Sequence, residues 1–128
     1  MKTHFILYVK DQNSSCNFYS AVLKTAPTLD VDGMTEFRLS EKSVLGLMPE
    51  SGIRRLLGAA LPDPATASGI PRAEIYLVVE DADAYLSRAV SQGGILLSDV
   101  VMRDWGDLVG YCLDPDGHVL AFAQSAQA

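Results

Sequence analysis

The sequence predicts an α+β fold made of two βαβββ modules, and three observations carry that prediction. The first is an internal repeat. Placing His4 on Glu74 brings Asp11 onto Asp81 and sets Ser43–Met48 against His118–Ala123, with Gly46 matching Ala121. Self-similarity at a spacing near 70 residues marks a supersecondary unit used twice. The second is short alternating apolar runs, interrupted after Asp11 and Asp81 by apolar residues at helical spacing. The third is the turn Asp114-Pro115-Asp116-Gly117 between two strand-like runs. There proline presets φ, and glycine accepts the left-handed conformation that closes a hairpin.

Taken in order, His4–Lys10 is the first strand. Asp11 to Ser15 is a polar cluster suited to capping a helix over Cys16–Lys24, with Phe18, Tyr19, Val22 and Leu23 at helical spacing. Thr25–Gly33 is an irregular link. Thr35–Leu39 and Ser43–Met48 form a hairpin across Ser40-Glu41-Lys42. Gly52–Gly58 has the apolar spacing of a short helix, and Leu61–Ile70 is a Pro/Ala/Ser/Gly linker or flap. The second module opens with the strand Glu74–Glu80. A helix over Ala82–Gln92 follows, capped by Asp81 and ended by Gly93-Gly94. Ile95–Ser98, Leu108–Leu113 and His118–Ala123 complete the strands. The expected organisation is one domain over residues 1–128: module 1 at about 1–50, a linker at about 51–71 and module 2 at about 72–126.

Strand parity sorts the side chains. Phe5, Leu7 and Val9, with Ile75, Leu77, Val79, Leu45, Leu47, Leu120 and Phe122, are the bulky set that a helix layer covers. The opposite face collects His4, Ile6, Tyr8, Gly46 and Met48 in one module, and Glu74, Tyr76, Val78, Ala121 and Ala123 in the other. Small, aromatic and ionisable groups together suit a concave ligand site. Tyr8 and Tyr76, read at corresponding places, offer stacking surface and hydroxyls. Core packing is the competing role for both.

Composition narrows the function classes. The chain has 128 residues, 48 % hydrophobic and 20 % charged, the balance of a soluble globular domain. A net charge of −6 argues against a nucleic-acid surface and against anionic membranes. No apolar run reaches a spanning length, and the start shows no signal-peptide pattern. Cys16 and Cys112 lack metal or redox spacing and are read as small buried hydrophobes in a reducing cytoplasm.

Leu7-Tyr8-Val9-Lys10-Asp11 followed by Asn17-Phe18-Tyr19, then Val78-Val79-Glu80-Asp81, then Leu113-Asp114-Pro115-Asp116-Gly117 occur in an order that resembles the vicinal oxygen chelate superfamily. Glyoxalase I, bleomycin-resistance proteins and extradiol dioxygenases belong to it. The resemblance implies paired βαβββ modules forming a curved mixed sheet around a cleft, helices on the outer face, commonly in a homodimer with sites near the interface. It also implies metal ligands at four points, which fall here on His4, Gly46, Glu74 and Ala121. Two of these can bind a metal and two cannot.

The candidate site residues follow. Glu74 is read as metal ligand, general base or anchor for a cation, against an ion pair with Arg72. His4 is a metal ligand or a solvated histidine, and His118 is structural. Tyr8, Met48, Tyr76 and Ala121 line the cleft face, with Met48 as adaptable filler. Trp105, in the loop Arg103-Asp104-Trp105-Gly106-Asp107, covers a ligand or seals a dimer interface. Asp104 and Asp107 pair with Arg103 or cap the loop. Three functions stay open: a metal-free dimeric binder of a small aromatic or cationic molecule; a divalent-metal lyase or isomerase of the glyoxalase I kind using His4 and Glu74; and a degenerate member kept for dimerisation or regulation.

Overall fold

The computed structural model describes residues 1–125 and divides into two compact units. Met1–Ser20 and Lys24–Gly69 form the first; Ala21–Leu23 and the described residues from Ile70 onward form the second. The expected end of module 2, at residue 126, lies outside the described residues. Among the described residues, no helix is long and apolar enough to cross a membrane.

The first unit runs β1 (Thr3–Val9), α1 (Gln12–Leu23, its last three residues counted with the second unit), β2 (Leu29–Val31), β3 (Met34–Ser40), β4 (Ser43–Pro49) and α2 (Glu50–Leu57), followed by two turns of 3₁₀ helix, Gly58–Ala60 and Pro64–Thr66. Its sheet has the order β1-β4-β3-β2, with β1 parallel to β4 and the other pairs antiparallel. Helix α1 begins one turn earlier than its apolar spacing suggests. The Asp11 side chain accepts from the Ser14 amide at 3.0 Å, and Gln12, Asn13 and Ser14 fill the first turn. Lys24 ends it in the left-handed region at φ 54, its amide donating to the Ser20 carbonyl.

The link over Thr25–Gly33 holds a strand that alternation over three residues cannot announce. The Gln12 amide group donates to the Val31 carbonyl at 2.8 Å and to Thr35 Oγ1 at 2.9 Å, which ties β2 to α1 and β3. Tyr19 meets Phe37 at 6.4 Å between ring centroids, and Val9, Phe37, Leu45 and Leu47 are fully buried beneath the helix layer. Phe5 departs from the expected pattern, being 52 % exposed. Strand β1 is the edge of its sheet, so the start of its bulky face has a neighbour on one side only. The expected linker carries α2, whose Ile53 is buried.

The second unit runs β5 (Glu74–Val78), α3 (Ala82–Ser91), β6 (Ile95–Met102), β7 (Asp107–Leu113) and β8 (Val119–Ser125) in the order β5-β8-β7-β6, with β5 parallel to β8. Two βαβββ modules in an α+β fold are thus present, each with a mixed four-stranded sheet. The repeat register holds: Gly46 lies opposite Ile6, and Ala121 opposite Tyr76. That register corrects one expectation, because Tyr76 corresponds to Ile6 rather than to Tyr8.

Asp81 caps α3 through the Ala84 amide at 3.1 Å. The helix packs on the face carrying Leu120, Phe122 and Cys112, all fully buried. Gly110 is needed there: a Cβ would stand 2.7 Å from Leu86 Cδ2 and 2.8 Å from Val100 Cγ2. Strand β6 is twice its expected length because register shifts at Leu96/Ser98 and Ser98/Val101 interrupt the alternation without ending the ladder. The Asp114 carboxylate accepts from the Asp116 and His118 amides, each at 2.9 Å, and is itself buried.

Two predictions follow from the interior. Ser15 Oγ is buried with no hydrogen-bond partner. Ser15→Ala is therefore expected to stabilise the protein by about 1 kcal/mol in denaturant titration, by removing an unsatisfied hydroxyl and raising helix propensity. Burial, and secondarily the nearby Asp114 charge, push the Cys112 thiol from its ordinary 9.0 up to about 11. The unfolded thiol loses its proton first, so stability contributed at this position is intact below pH 9 and falls as pH rises towards 11. The loss is roughly 2–3 kcal/mol. Cys112→Ala is expected to flatten that alkaline limb in melts followed from pH 8 to 11.

Candidate functional site

In the second unit, the sheet face opposite α3 is built by β5, β7 and β8. Cross-strand register places Tyr76 and Tyr111 on either side of Ala121, and Val78 and Val109 on either side of Ala123. Both alanines are fully buried. Their small size has a local consequence. Tyr76 starts opposite Ala121, whereas Asp107 lies opposite Ser125, four residues further along β8. A phenol can reach diagonally across β8 only where the intervening side chains are short.

The reach is completed by hydrogen bonds. Tyr76 Oη donates to Asp107 Oδ2 at 2.6 Å, and Trp105 Nε1 donates to Tyr76 Oη at 2.9 Å. Trp105 is 58 % exposed and Tyr76 36 %. Desolvation raises the Tyr76 phenol above its ordinary value; donation to Asp107 raises it further, and the Trp105 N–H opposes this. The phenol proton is directed at Asp107.

Trp105 is presented by a three-residue turn. The Arg103 amide donates to the Asp107 carbonyl at 2.8 Å, the Gly106 amide donates to the Arg103 carbonyl at 3.0 Å, and Gly106 adopts φ 95. The two hydrogen bonds and the left-handed glycine close a three-residue hairpin loop. The Arg103 guanidinium forms no ion pair with Asp104 or Asp107. Its guanidinium donates to the Val109 carbonyl at 2.8 Å and to Ser98 Oγ at 2.6 Å, filling the gap left by the β6 register shifts. It lies 5.2 Å from the Tyr111 ring centroid. One of the two tyrosines therefore already has a cationic neighbour, and the other is coupled to tryptophan and carboxylate.

The remaining candidates are placed as follows. Tyr8 and Met48 face each other across β1 and β4, on the side that also carries His4, Ile6 and Gly46. Met48 is half-buried and meets α2, where a Cβ on Gly52 would stand 3.7 Å from its Cε. His4 Nδ1 is 3.5 Å from Glu36 Oε2, a partner on β3 that sequence spacing alone did not expose. Glu74 is exposed at the start of β5, two residues before Tyr76 and on the same face.

The four family metal points fit an ion poorly. Ala121 is buried and offers no donor, and the space at Gly46 is filled by Ile6 Cγ1 and Met34 Sδ, 3.1 and 3.3 Å from where a Cβ would stand. Among the described residues, no group of three or more His, Cys, Asp or Glu could hold a metal. Structural and catalytic divalent sites ordinarily use at least three protein ligands. Asp107 and Tyr111 were the site residues that sequence reasoning passed over. The period-two alternation Asp107, Val109, Tyr111 was the signal that could have found them.

Comparison with known proteins agrees with this architecture. Residues 3–122 match the family model of the Glyoxalase/Bleomycin resistance protein/Dioxygenase superfamily. An uncharacterised protein of Mycobacterium bovis, Mb0911c, is 30 % identical over 78 residues, which cover 61 % of this chain and 51 % of that protein. The match thus spans about half of the relative's length. A glyoxalase-related enzyme from Fulvimarina pelagi superposes with a TM-score of 0.83 at 23 % identity, covering 98 % of this chain and 88 % of that one. A family member from Burkholderia phytofirmans PsJN superposes with a TM-score of 0.80 at 14 % identity, covering 95 % and 96 %. At these identities the structural likeness speaks for the fold alone.

The hydrogen-bonded cluster can be tested without a ligand. Tyr76→Phe removes the acceptor for Trp105 Nε1, and Asp107→Asn weakens the anchor of the phenol. Tyr76→Phe is expected to raise acrylamide quenching of the sole tryptophan and lower its fluorescence anisotropy, with a stability change of about 1 kcal/mol or less. Unchanged quenching would show that the loop holds Trp105 in place by itself.

Proposed function

We propose that this chain, which belongs to the Glyoxalase/Bleomycin resistance protein/Dioxygenase superfamily, is a metal-free dimeric binder of a small aromatic or cationic molecule. The observation that carries this reading is the Trp105–Tyr76–Asp107 cluster. An exposed indole and a phenol supply stacking surface, and the carboxylate at their edge favours a cation over a neutral ring. The phenol's proton is held by Asp107, so its role is to orient rather than to transfer a proton. Arg103, neighbour of Tyr111 and bonded to the β6 and β7 backbones, keeps its charge at the far tyrosine. Ala121 and Ala123 give the clearance beneath the phenol.

Dimerisation is supported by apolar side chains on the edge strand β1, where Phe5 and Ile6 are exposed. The two buried free thiols support a reducing cytoplasm as the location. The reading disfavours the metal-dependent lyase, because Gly46 and Ala121 withhold two of four ligand points.

Titration with N-methylquinolinium, followed by quenching of Trp105, tests the proposal. Micromolar affinity is expected, with weaker binding of neutral quinoline measured above its own ionisation. Trp105→Ala, read by calorimetry, and Asp107→Asn are each expected to weaken binding roughly tenfold. Binding indifferent to Asp107→Asn overturns the cation preference. Affinity or turnover gained on adding Mn²⁺, Ni²⁺ or Zn²⁺ overturns the metal-free reading, and a single-chain mass near 13.8 kDa in sedimentation overturns the dimer.

A further inference from the structure

We propose that the groove between α3 and β6 docks an extended peptide segment, added as a further strand to the outer edge of the second sheet. The segment carries an apolar residue and, two positions along, a lysine or arginine. This surface is separate from the Trp105–Tyr76–Asp107 cluster, and the proposal does not depend on what that cluster binds.

Strand β6 ends the order β5-β8-β7-β6, and no described strand pairs with its outer edge. Soluble proteins ordinarily guard such edges with lysine, proline, brevity or bulges, and β6 has only the last of these, at its two register shifts. Here the strand has eight residues, Ile-Leu-Leu-Ser-Asp-Val-Val-Met, and neither lysine nor proline. Ile95, Leu96 and Leu97 are 60, 45 and 52 % exposed in succession, so both faces of this segment are open. The first register shift falls between Leu96 and Ser98 and the second further along, where Arg103 takes up the Asp99 carbonyl at 3.3 Å. Pairing with an incoming strand is assigned to Ile95–Leu97, the exposed segment that leads into the first shift.

Beside that edge lies a groove of about 340 Å³ between the helix and the strand. Its apolar walls are Leu86, Val90 and Leu96, and its carboxylates are Asp83 and Asp99. Neither carboxylate has an ion pair or hydrogen bond among the described residues, and no cationic residue lines the groove. The neighbouring arginines are engaged elsewhere. Arg88 lies 4.3 Å from the Tyr85 ring centroid and donates to the Val22 carbonyl, while Arg103 donates to the Val109 carbonyl and Ser98.

An open strand edge and an acid-bearing apolar groove, side by side, match the strand-addition mode of peptide recognition. Main-chain hydrogen bonds supply affinity there, and pockets for alternate side chains supply selectivity. Residues two apart on a strand point to one face. The apolar residue then enters between Leu86, Val90 and Leu96 while the cation reaches the carboxylates. A small amine would answer the carboxylates but leave the strand edge unused.

The test uses the whole chain and a fluorescein-labelled peptide, Thr-Val-Thr-Arg-Thr-Val, beside its counterpart with glutamate in place of arginine. Saturable binding of the first and not the second is expected by anisotropy. Asp83→Asn with Asp99→Asn is expected to weaken it roughly tenfold, and Leu96→Lys, a second and independent variant, to abolish it. Amide exchange at Ile95–Leu97 should slow in the complex, and Trp105→Ala should leave peptide binding unchanged, which separates this surface from the aromatic cluster. Four outcomes overturn the proposal: equal binding of the two peptides; no saturable binding; competition by benzylamine without protection of Ile95–Leu97; and occupation of β6 by a second copy, revealed by a dimer that Leu97→Lys dissociates.

Discussion

In each unit the strand that begins the module lies parallel to the strand that ends it, β1 beside β4 and β5 beside β8. Parallel neighbours cannot be joined by a tight turn, so the chain must travel back across one face of the sheet between them. Helices α1 and α3 begin that crossing, each started by an aspartate cap directly after the first strand. Two antiparallel strands then bring the chain to its parallel partner. The remaining organisation rests on this constraint. One face of each sheet is claimed by a helix and its bulky core; the other carries a mixture of aromatic, aliphatic, polar and small side chains.

The face left over in the second unit shows how packing and recognition share residues. Ala121 and Ala123 are buried, and their shortness lets Tyr76 lie across β8 to Asp107. The alanine stripe is therefore neither an empty floor nor simple close packing. It is the clearance under a phenol. The hydrogen bonds of Tyr76 are to partners near solvent, where each is worth little net stability. What they fix is orientation, with the indole edge and the carboxylate held about one oxygen atom.

The repeat was legible because it is written in strand parity and in two aspartate caps, both local signals. The turn at Asp114–Gly117 was legible for the same reason, and so was the burial of Cys112. What escaped depended on contacts distant in sequence. Strand β2 is held by Gln12, Thr35 and Glu36, and three residues of alternation cannot announce it. The second half of β6 was hidden by register shifts that only Arg103 and β7 explain. Asp107 could be assigned to Arg103 on proximity in sequence, yet its partner is Tyr76, 31 positions away. His4 likewise meets Glu36 across an intervening strand. Side-chain direction was readable from parity, whereas pairing needed the register.

Strand β7 is framed by two turns of one design. At one end the Gly106 amide closes on Arg103; at the other the Gly117 amide closes on Asp114, and both glycines carry positive φ. The second turn is locked by a buried carboxylate, so its side chains serve the backbone. In the first, glycine and the main chain hold the shape, and position 105 takes no part in closing it. A residue relieved of structural duty is open to replacement at little cost to the fold. Position 105 can thus change without disturbing the turn that presents it, while the twin turn eleven residues on is bound to its own aspartate.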